Sequence, residues 1–363
     1  MSKFSNRIYN SCKKIEEDQE MSKNEIIVGV IGAGRIGKLH VNNLKNIQNV
    51  RVKTVSDIFI ENLGEWFETS GAEHLTKNYQ DIISDPEIDA ILICSPTNTH
   101  TTIIKEAAAA GKHIFCEKPI SFSDEETLEA FEAVKKNGVK FQIGFNRRYD
   151  HNFSKVKSLV EEKEIGDLHI LKITSRDPAP PTLDYVSSSG GLFMDMTIHD
   201  FDMARFISGS EVVEVFAQGA SLVNPKVSEL GDIDTAIISL KFANGAVGVI
   251  DNSRQAVYGY DQRLEAFGTK GSANVKNETQ SKVEFLSEAG VKEDKPLHFF
   301  LERYNDAYIK EVKEFLKAIK NDEAVSCTFK DGVMAQRIAM AAKESFDTGK
   351  PVQVELLDYV SIK

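Results

Sequence analysis

The chain has 363 residues, 41% hydrophobic and 27% charged, and 55 acidic against 44 basic side chains leave a net charge of −11. That length suits two domains, that composition excludes wholesale disorder, and a surface of that sign excludes a general nucleic-acid binder. No apolar run approaches the roughly 20 residues that span a bilayer, and Cys12, Cys94, Cys116 and Cys327 are too scattered for a disulfide framework or a zinc site. These exclusions predict a cytoplasmic protein with reduced thiols and no metal.

Residues 1–23 are expected to form a disordered extension. Lys3, Arg7, Lys13 and Lys14 precede Glu16, Glu17, Asp18 and Glu20, with no apolar core for a signal peptide. Over 24–145 the pattern is strand–helix alternation. Ile26 to Ile31 is an unbroken apolar run, as in a parallel strand buried on both faces. A glycine turn follows, then a helix with Ile36, Leu39, His40, Asn43 and Leu44 on one side. Strands are predicted over Val50–Ser56, Asp89–Cys94, Lys112–Cys116 and Lys140–Gly144, with helices over Thr99–Ala110 and Asp124–Asn137. The α/β expectation is an N-terminal Rossmann domain, a doubly wound parallel sheet.

Over 146–363 the pattern changes. Helices predicted at Asn152–Lys163 and Met194–Ser208 flank a proline-rich loop from Asp177 to Thr182. In Thr235–Phe242 the residues Ala236, Ile238, Leu240 and Phe242 share one face, and Asn244-Gly245 turns the chain into Ala246–Asp251. Thr269-Lys270-Gly271 makes a second hairpin turn. The second domain is therefore expected to be α+β with a largely antiparallel open sheet.

Gly32-Ala33-Gly34-Arg35-Ile36-Gly37 fits G-x-G-x-x-G directly after a strand and at the start of a helix. Gly32 permits the tight turn, Gly34 lets a pyrophosphate approach the backbone, and Gly37 lets helix and strand pack closely. The helix N-terminus offers N–H groups to the phosphates. Asp57 lies twenty residues beyond Gly37, where a carboxylate accepts from the ribose hydroxyls and repels a 2′-phosphate. Its immediate followers, Ile58 and Phe59, include no arginine or lysine, so NAD is expected rather than NADP; the same carboxylate can also cap a helix. Ser95, Asn98 and His100 follow the next strand end and face the expected cofactor crevice, although Asn98 or Thr99 can equally cap the following helix.

Glu117-Lys118-Pro119 ends a further strand, and a lysine there points toward the crevice. Gly190-Gly191 then opens a stretch in which Asp195 and His199 stand four apart, on one face of a helix. By itself that pair also reads as an acidic helix start with a pH-sensitive neighbour.

Together, Gly32–Gly37, Glu117-Lys118-Pro119 and Asp195-x-x-x-His199 resemble the glucose–fructose oxidoreductase/inositol dehydrogenase (Gfo/Idh/MocA) family, from Ile26 to about Tyr359. Gly144–Asp150, Ser175–Pro178 and Asp251–Asp261 resemble its inositol 2-dehydrogenases in particular. The resemblance implies an oxidoreductase that interconverts a ring alcohol and its ketone, with Lys118, Asp195 and His199 as the catalytic set. It also implies a homo-oligomer, dimer or tetramer, built through the open face of the second-domain sheet. The expected reaction is oxidation of myo-inositol to 2-keto-myo-inositol, with scyllo-inositol or a pyranose sugar as alternatives; a non-catalytic NAD-binding regulator and an NAD-dependent glycosidase are readings of other classes. His199 is the natural base, Asp195 would orient its ring, and Lys118 would hydrogen-bond the reacting oxygen. Glu117 and Lys118 are also expected to border the cofactor. Arg147, Asp177, Tyr258 and Tyr260 are expected to meet the substrate hydroxyls together with the catalytic set.

Overall fold

A computed structural model describes residues 25–357. The expected N-terminal extension and Cys12 lie outside the described residues. Its described residues gather into two compact units: 25–117 with 128–142 and 312–326, and 118–127 with 143–311 and 327–357.

The first unit is built on strands β1 (Ile26–Ile31), β2 (Val50–Ser56), β3 (His74–Thr76), β4 (Ala90–Ile93) and β5 (His113–Glu117), with β6 (Phe141–Gly144) at the far edge. Their order is β3-β2-β1-β4-β5-β6, and the pairings of β1 with β2 and β4, β2 with β3, and β4 with β5 are parallel. Strand order therefore reverses between β1 and β4, the place where such sheets open a ligand crevice at their carboxyl ends. Val28, Val30, Leu92 and Phe115 have no exposed surface, which explains why these strands read as unbroken apolar runs. Val312, Phe315 and Leu316, from the C-terminal part of the chain, complete this core.

The second unit holds a seven-stranded sheet. Its strands are β7 (Leu168–Arg176), β8 (Val212–Ala220), β9 (Thr235–Phe242), β10 (Val247–Ser253), β11 (Asp261–Gly268), β12 (Ser272–Val275) and β15 (Val352–Gln353). The order is β12-β11-β7-β10-β9-β8-β15; only β7–β10 is parallel among the pairings. A small hairpin, β13 (Phe285–Ser287) with β14 (Gly290–Lys292), stands apart. In β9 the alternation is strict: Ala236, Ile238, Leu240 and Phe242 are buried, whereas Ile237 is 48% exposed. Helices Ile198–Ser208 and Phe329–Thr348 pack on the covered face.

The expected helix Met194–Ser208 differs. It opens with a π-helical turn over Phe193–Thr197 and is α-helical only over Ile198–Ser208.

Candidate active site

In the first unit, β1 delivers the chain into Gly32–Gly37. Gly32 takes φ +94°, and a Cβ there would lie 2.6 Å from the backbone of Cys94 and Ser95. A Cβ on Gly37 would lie 1.9 Å from the Gly32 carbonyl oxygen, so helix Arg35–Leu44 can sit this close to β1 only with glycine. Gly34 has nothing within 4 Å of its Cβ position. No side chain caps that helix, and its first turn carries no acidic residue. A bare helix N-terminus beside open space fits a pyrophosphate.

The Asp57 carboxylate accepts from the backbone N–H of Ala33 and of Phe59, both at 2.8 Å. It thus pins the glycine loop and closes a local turn onto Phe59, just before the helical turn Ile60–Asn62, with acceptor capacity left for hydroxyls. Ala33 is buried, Ile36 half-buried, and Arg35 and Asn98 exposed. Ser95 Oγ lies 2.6 Å from Thr99 Oγ1, which keeps its loop in shape. His100 corrects the picture of a ring presented to the crevice: it is 1% exposed, with Nε2 2.8 Å from the Ser95 carbonyl. Glu117 Oε1 lies 2.8 Å from Nε2 of the buried His40.

Lys118 follows Glu117 through one peptide bond and belongs to the second unit, where the Lys118–Pro119 bond is cis. Its ammonium donates to the main-chain carbonyl of Asp195 at 2.5 Å and to Asp195 Oδ1 at 3.3 Å. The carboxylate of Asp195 also accepts from the Tyr185 hydroxyl at 2.9 Å and from Arg254 at 2.8 Å. Burial alone would raise the Asp195 pKa; Lys118 and Arg254 overcome it and hold the group at about 2. The other end of the Arg254 guanidinium donates to Asp177 Oδ2 at 3.2 Å. For Asp177 burial prevails and pushes the carboxyl up, with Arg254 opposing.

His199 is half-buried, its ring edge-on to Phe145, and its Nδ1, out of reach of solvent, has no hydrogen-bond partner. Burial first, then the charges of Lys118 and Arg147, push its pKa well below the usual histidine range, so the imidazole stays neutral. The Asp195–His199 bond expected from four-residue spacing does not form. The intervening π turn carries more residues per turn than an α-helix, which takes the carboxylate round toward Arg254 and Tyr185.

Arg147 and Tyr258, both expected at the substrate, have protein partners for their polar groups. Arg147 is 5% exposed; it donates to Asp200 at 2.6 Å and to Ser175 at 3.3 Å, so it is a buried cation behind the site. Asn252 donates to the other oxygen of Asp200 at 2.9 Å and accepts from Thr197 at 2.6 Å, tying strand β10 to the π turn. The Tyr258 hydroxyl donates to Asp261 at 2.5 Å and accepts from Arg176 at 3.1 Å. Its ring lines a cavity of about 350 Å³ with Pro178, Pro296 and His298. Tyr260 lies inside, 5% exposed, packed edge-on against Phe299 and Tyr304.

Sequence reasoning therefore gathered Lys118, Asp195, His199 and Asp177 but missed Arg254 and Tyr185. Arg254 has a detectable signal: inward-facing positions alternate along β10, through Ile250 and Asn252, and the next is an arginine. Tyr185, half exposed on the short helix Leu183–Ser188, has none.

Residues 26–145 match the oxidoreductase family, NAD-binding Rossmann fold, and residues 153–274 match the GFO/IDH/MocA C-terminal domain. The chain is 58% identical to an uncharacterised oxidoreductase of Bacillus subtilis, over 91% of this chain and 97% of that one. It is 48% identical to a myo-inositol 2-dehydrogenase of Thermotoga maritima, over 90% and 98%. Among solved structures, scyllo-inositol dehydrogenase from Lactobacillus casei with bound NAD(H) and scyllo-inositol superposes with a TM-score of 0.86 at 31% identity, over 91% of this chain and 99% of that one.

Proposed function

The chain belongs to the GFO/IDH/MocA family of oxidoreductases and carries its NAD-binding Rossmann domain, and we propose that within this family it is an inositol dehydrogenase that oxidises myo-inositol to 2-keto-myo-inositol. The observation that carries this reading is the half-buried to buried group of Lys118, Asp195, Asp177, Arg254 and His199: it supplies a neutral base, a cation and paired carboxylates for a substrate dense in hydroxyls. The names of the relatives support cyclic polyols as the substrate class.

Bound NAD supplies the hydride acceptor. The glycine loop and the N-terminus of helix Arg35–Leu44 hold its pyrophosphate, with Ser95, Asn98 and Glu117 at neighbouring strand ends, and Asp57 takes the ribose hydroxyls. His199 accepts the proton of the substrate hydroxyl, for which its neutral form is ready. Lys118 donates to the same oxygen and stabilises its developing negative charge. Asp195 anchors Lys118, and Asp177 and Tyr260 flank the ring hydroxyls. The open sheet face, where Ile237, Val247 and Phe267 are each more than 40% exposed, suits the assembly of a homo-oligomer.

The test is a spectrophotometric screen of myo-inositol, scyllo-inositol, other polyols and aldoses with NAD and with NADP. NADH formation fastest with myo-inositol is expected. A preference for scyllo-inositol or a pyranose moves the substrate within the class, and no NADH with any of them overturns the reading.

A further inference from the structure

The Asp195 carboxylate is engaged from three sides, by Lys118, Tyr185 and Arg254. Lys118 is its weakest partner, because the ammonium lies 3.3 Å from the carboxylate and 2.5 Å from the main-chain oxygen of the same residue. Arg254, by contrast, spans two carboxylates, at 2.8 Å to Asp195 and 3.2 Å to Asp177, with its own side chain only 8% exposed. Two buried carboxylates this close resist ionising together unless a cation lies between them. We infer that Arg254 is a positioning residue: by neutralising Asp195 and Asp177 together, it leaves an N–H of Lys118 free for the reacting oxygen.

This inference rests on the proposed roles of Lys118 and His199 and adds a residue that touches neither the base nor the reacting atoms. Three N–H bonds are available to an ammonium, and Asp195 takes two of them here. Without Arg254, Lys118 would be the only cation on a buried carboxylate, since Tyr185 offers a neutral hydroxyl and Asp177 a like charge. The pair would then close and withdraw the donor from substrate. The Asp195 carboxyl would titrate higher, and Asp177 and Asp195 would share a proton. A lysine at 254 reaches one carboxylate at a time, whereas the planar fork of arginine holds both.

Two measurements test this on the full-length protein, with Arg254→Ala and Arg254→Lys. The first follows the Asp195 carboxyl carbon by NMR in aspartate-labelled protein, assigned by its absence in Asp195→Asn. In the wild type it should stay ionised to about pH 2, and in Arg254→Ala it should titrate at clearly higher pH. The second is the pH profile of NADH formation. The alanine variant should lose roughly 10²-fold in kcat with NAD affinity unchanged, recover part of it with added guanidinium, and lose its remaining activity earlier on the acid side. Arg254→Lys should fall between the two and should not match the wild type. The inference is overturned if Asp195 titrates as in the wild type, or if Arg254→Lys is fully active. It is also overturned if the alanine variant, melting like the wild type, loses activity that guanidinium cannot restore. Should the alanine variant not fold, the lysine variant decides by the same two readouts. If the wild type oxidises no cyclic polyol, the functional reading fails, while the carbon titration still tests the hold of Arg254 on Asp195.

Discussion

Gly34 and Gly37 stand three residues apart, one at the N-cap of helix Arg35–Leu44 and one in its first turn, and two alanine substitutions tell their proposed jobs apart. At Gly34 the backbone has φ −70°, which any residue adopts, and an added methyl meets nothing within 4 Å. Replacing glycine by alanine at a helix N-cap costs roughly 0.5–1 kcal/mol, and stiffening the unfolded chain returns about 0.4–1 kcal/mol. Stability should hardly change. The methyl would, however, occupy the open space through which the proposed pyrophosphate reaches the backbone N–H groups. Losing a charge-assisted hydrogen bond costs roughly 1.5–3 kcal/mol, so NAD should bind about 10- to 150-fold more weakly. At Gly37 the added methyl would lie 1.9 Å from the Gly32 carbonyl oxygen and 2.9 Å from its carbon. Both atoms are backbone, so helix and turn must part. Overpacking of this kind costs roughly 1–3 kcal/mol, against about 1 kcal/mol gained in helix propensity. Gly37→Ala should therefore lose stability and NAD affinity together. Thermal melts and calorimetric titration with NAD read the two quantities independently. A Gly34→Ala protein that binds NAD like the wild type, or melts as early as Gly37→Ala, refutes the division of labour.

Four further substitutions probe the site. Asp57→Ala should weaken NAD and narrow its preference over NADP; since Asp57 also holds the Ala33 N–H, some of that loss comes from a looser glycine loop, and an unchanged NAD/NADP ratio of kcat/KM removes the ribose role. His199→Ala should lower kcat roughly 10²- to 10⁴-fold while calorimetry finds NAD binding intact, and near-normal turnover returns His199 to a packing role. In Lys118→Ala one of the charges that depress the His199 pKa is gone, so the base becomes protonated at higher pH and the acidic limb of kcat/KM should move up; an unmoved limb disproves the coupling. Arg147→Ala strands the buried Asp200 carboxylate and should cost roughly 3–5 kcal/mol in denaturant titration, whereas a small loss would show that water reaches Asp200.

Local pattern made the first sheet legible. Ile26–Ile31 and Val50–Ser56 are strands in the structure with the predicted bounds, because continuous apolar runs between glycine and helix signals leave few alternatives. The short β3 and the C-terminal β15 escaped, since three or two residues carry no period. Also invisible was the contribution of Val312, Phe315 and Leu316 to the first core. Their helical periodicity shows that a face is buried, but nothing in it names the partner. The alternation of Ala236, Ile238, Leu240 and Phe242 predicted β9, while the parallel pairing of β7 with β10 depends on a crossover no local rule specifies.

The sequence singled out Lys118, Asp195 and His199, which the structure brings into one neighbourhood, but their wiring was less legible. Asp195 and His199 were paired by a rule that holds for 3.6 residues per turn, and the chain departs from that geometry at this point. The π turn ties itself to the sheet through Thr197 and Asn252, and Asn252 also holds Asp200, which holds Arg147. Each residue in that chain of bonds is buried, so the widened turn is fixed by polar partners from three elements rather than by its own sequence. Its effect is chemical. With Asp195 turned to Arg254 and Lys118, His199 keeps Nδ1 unpaired in a buried setting beside two cations, and all three influences favour its neutral form. An α-helical continuation with Asp195 against the imidazole would push the other way, stabilising the protonated ring, which cannot accept the proton that the proposed mechanism requires of it.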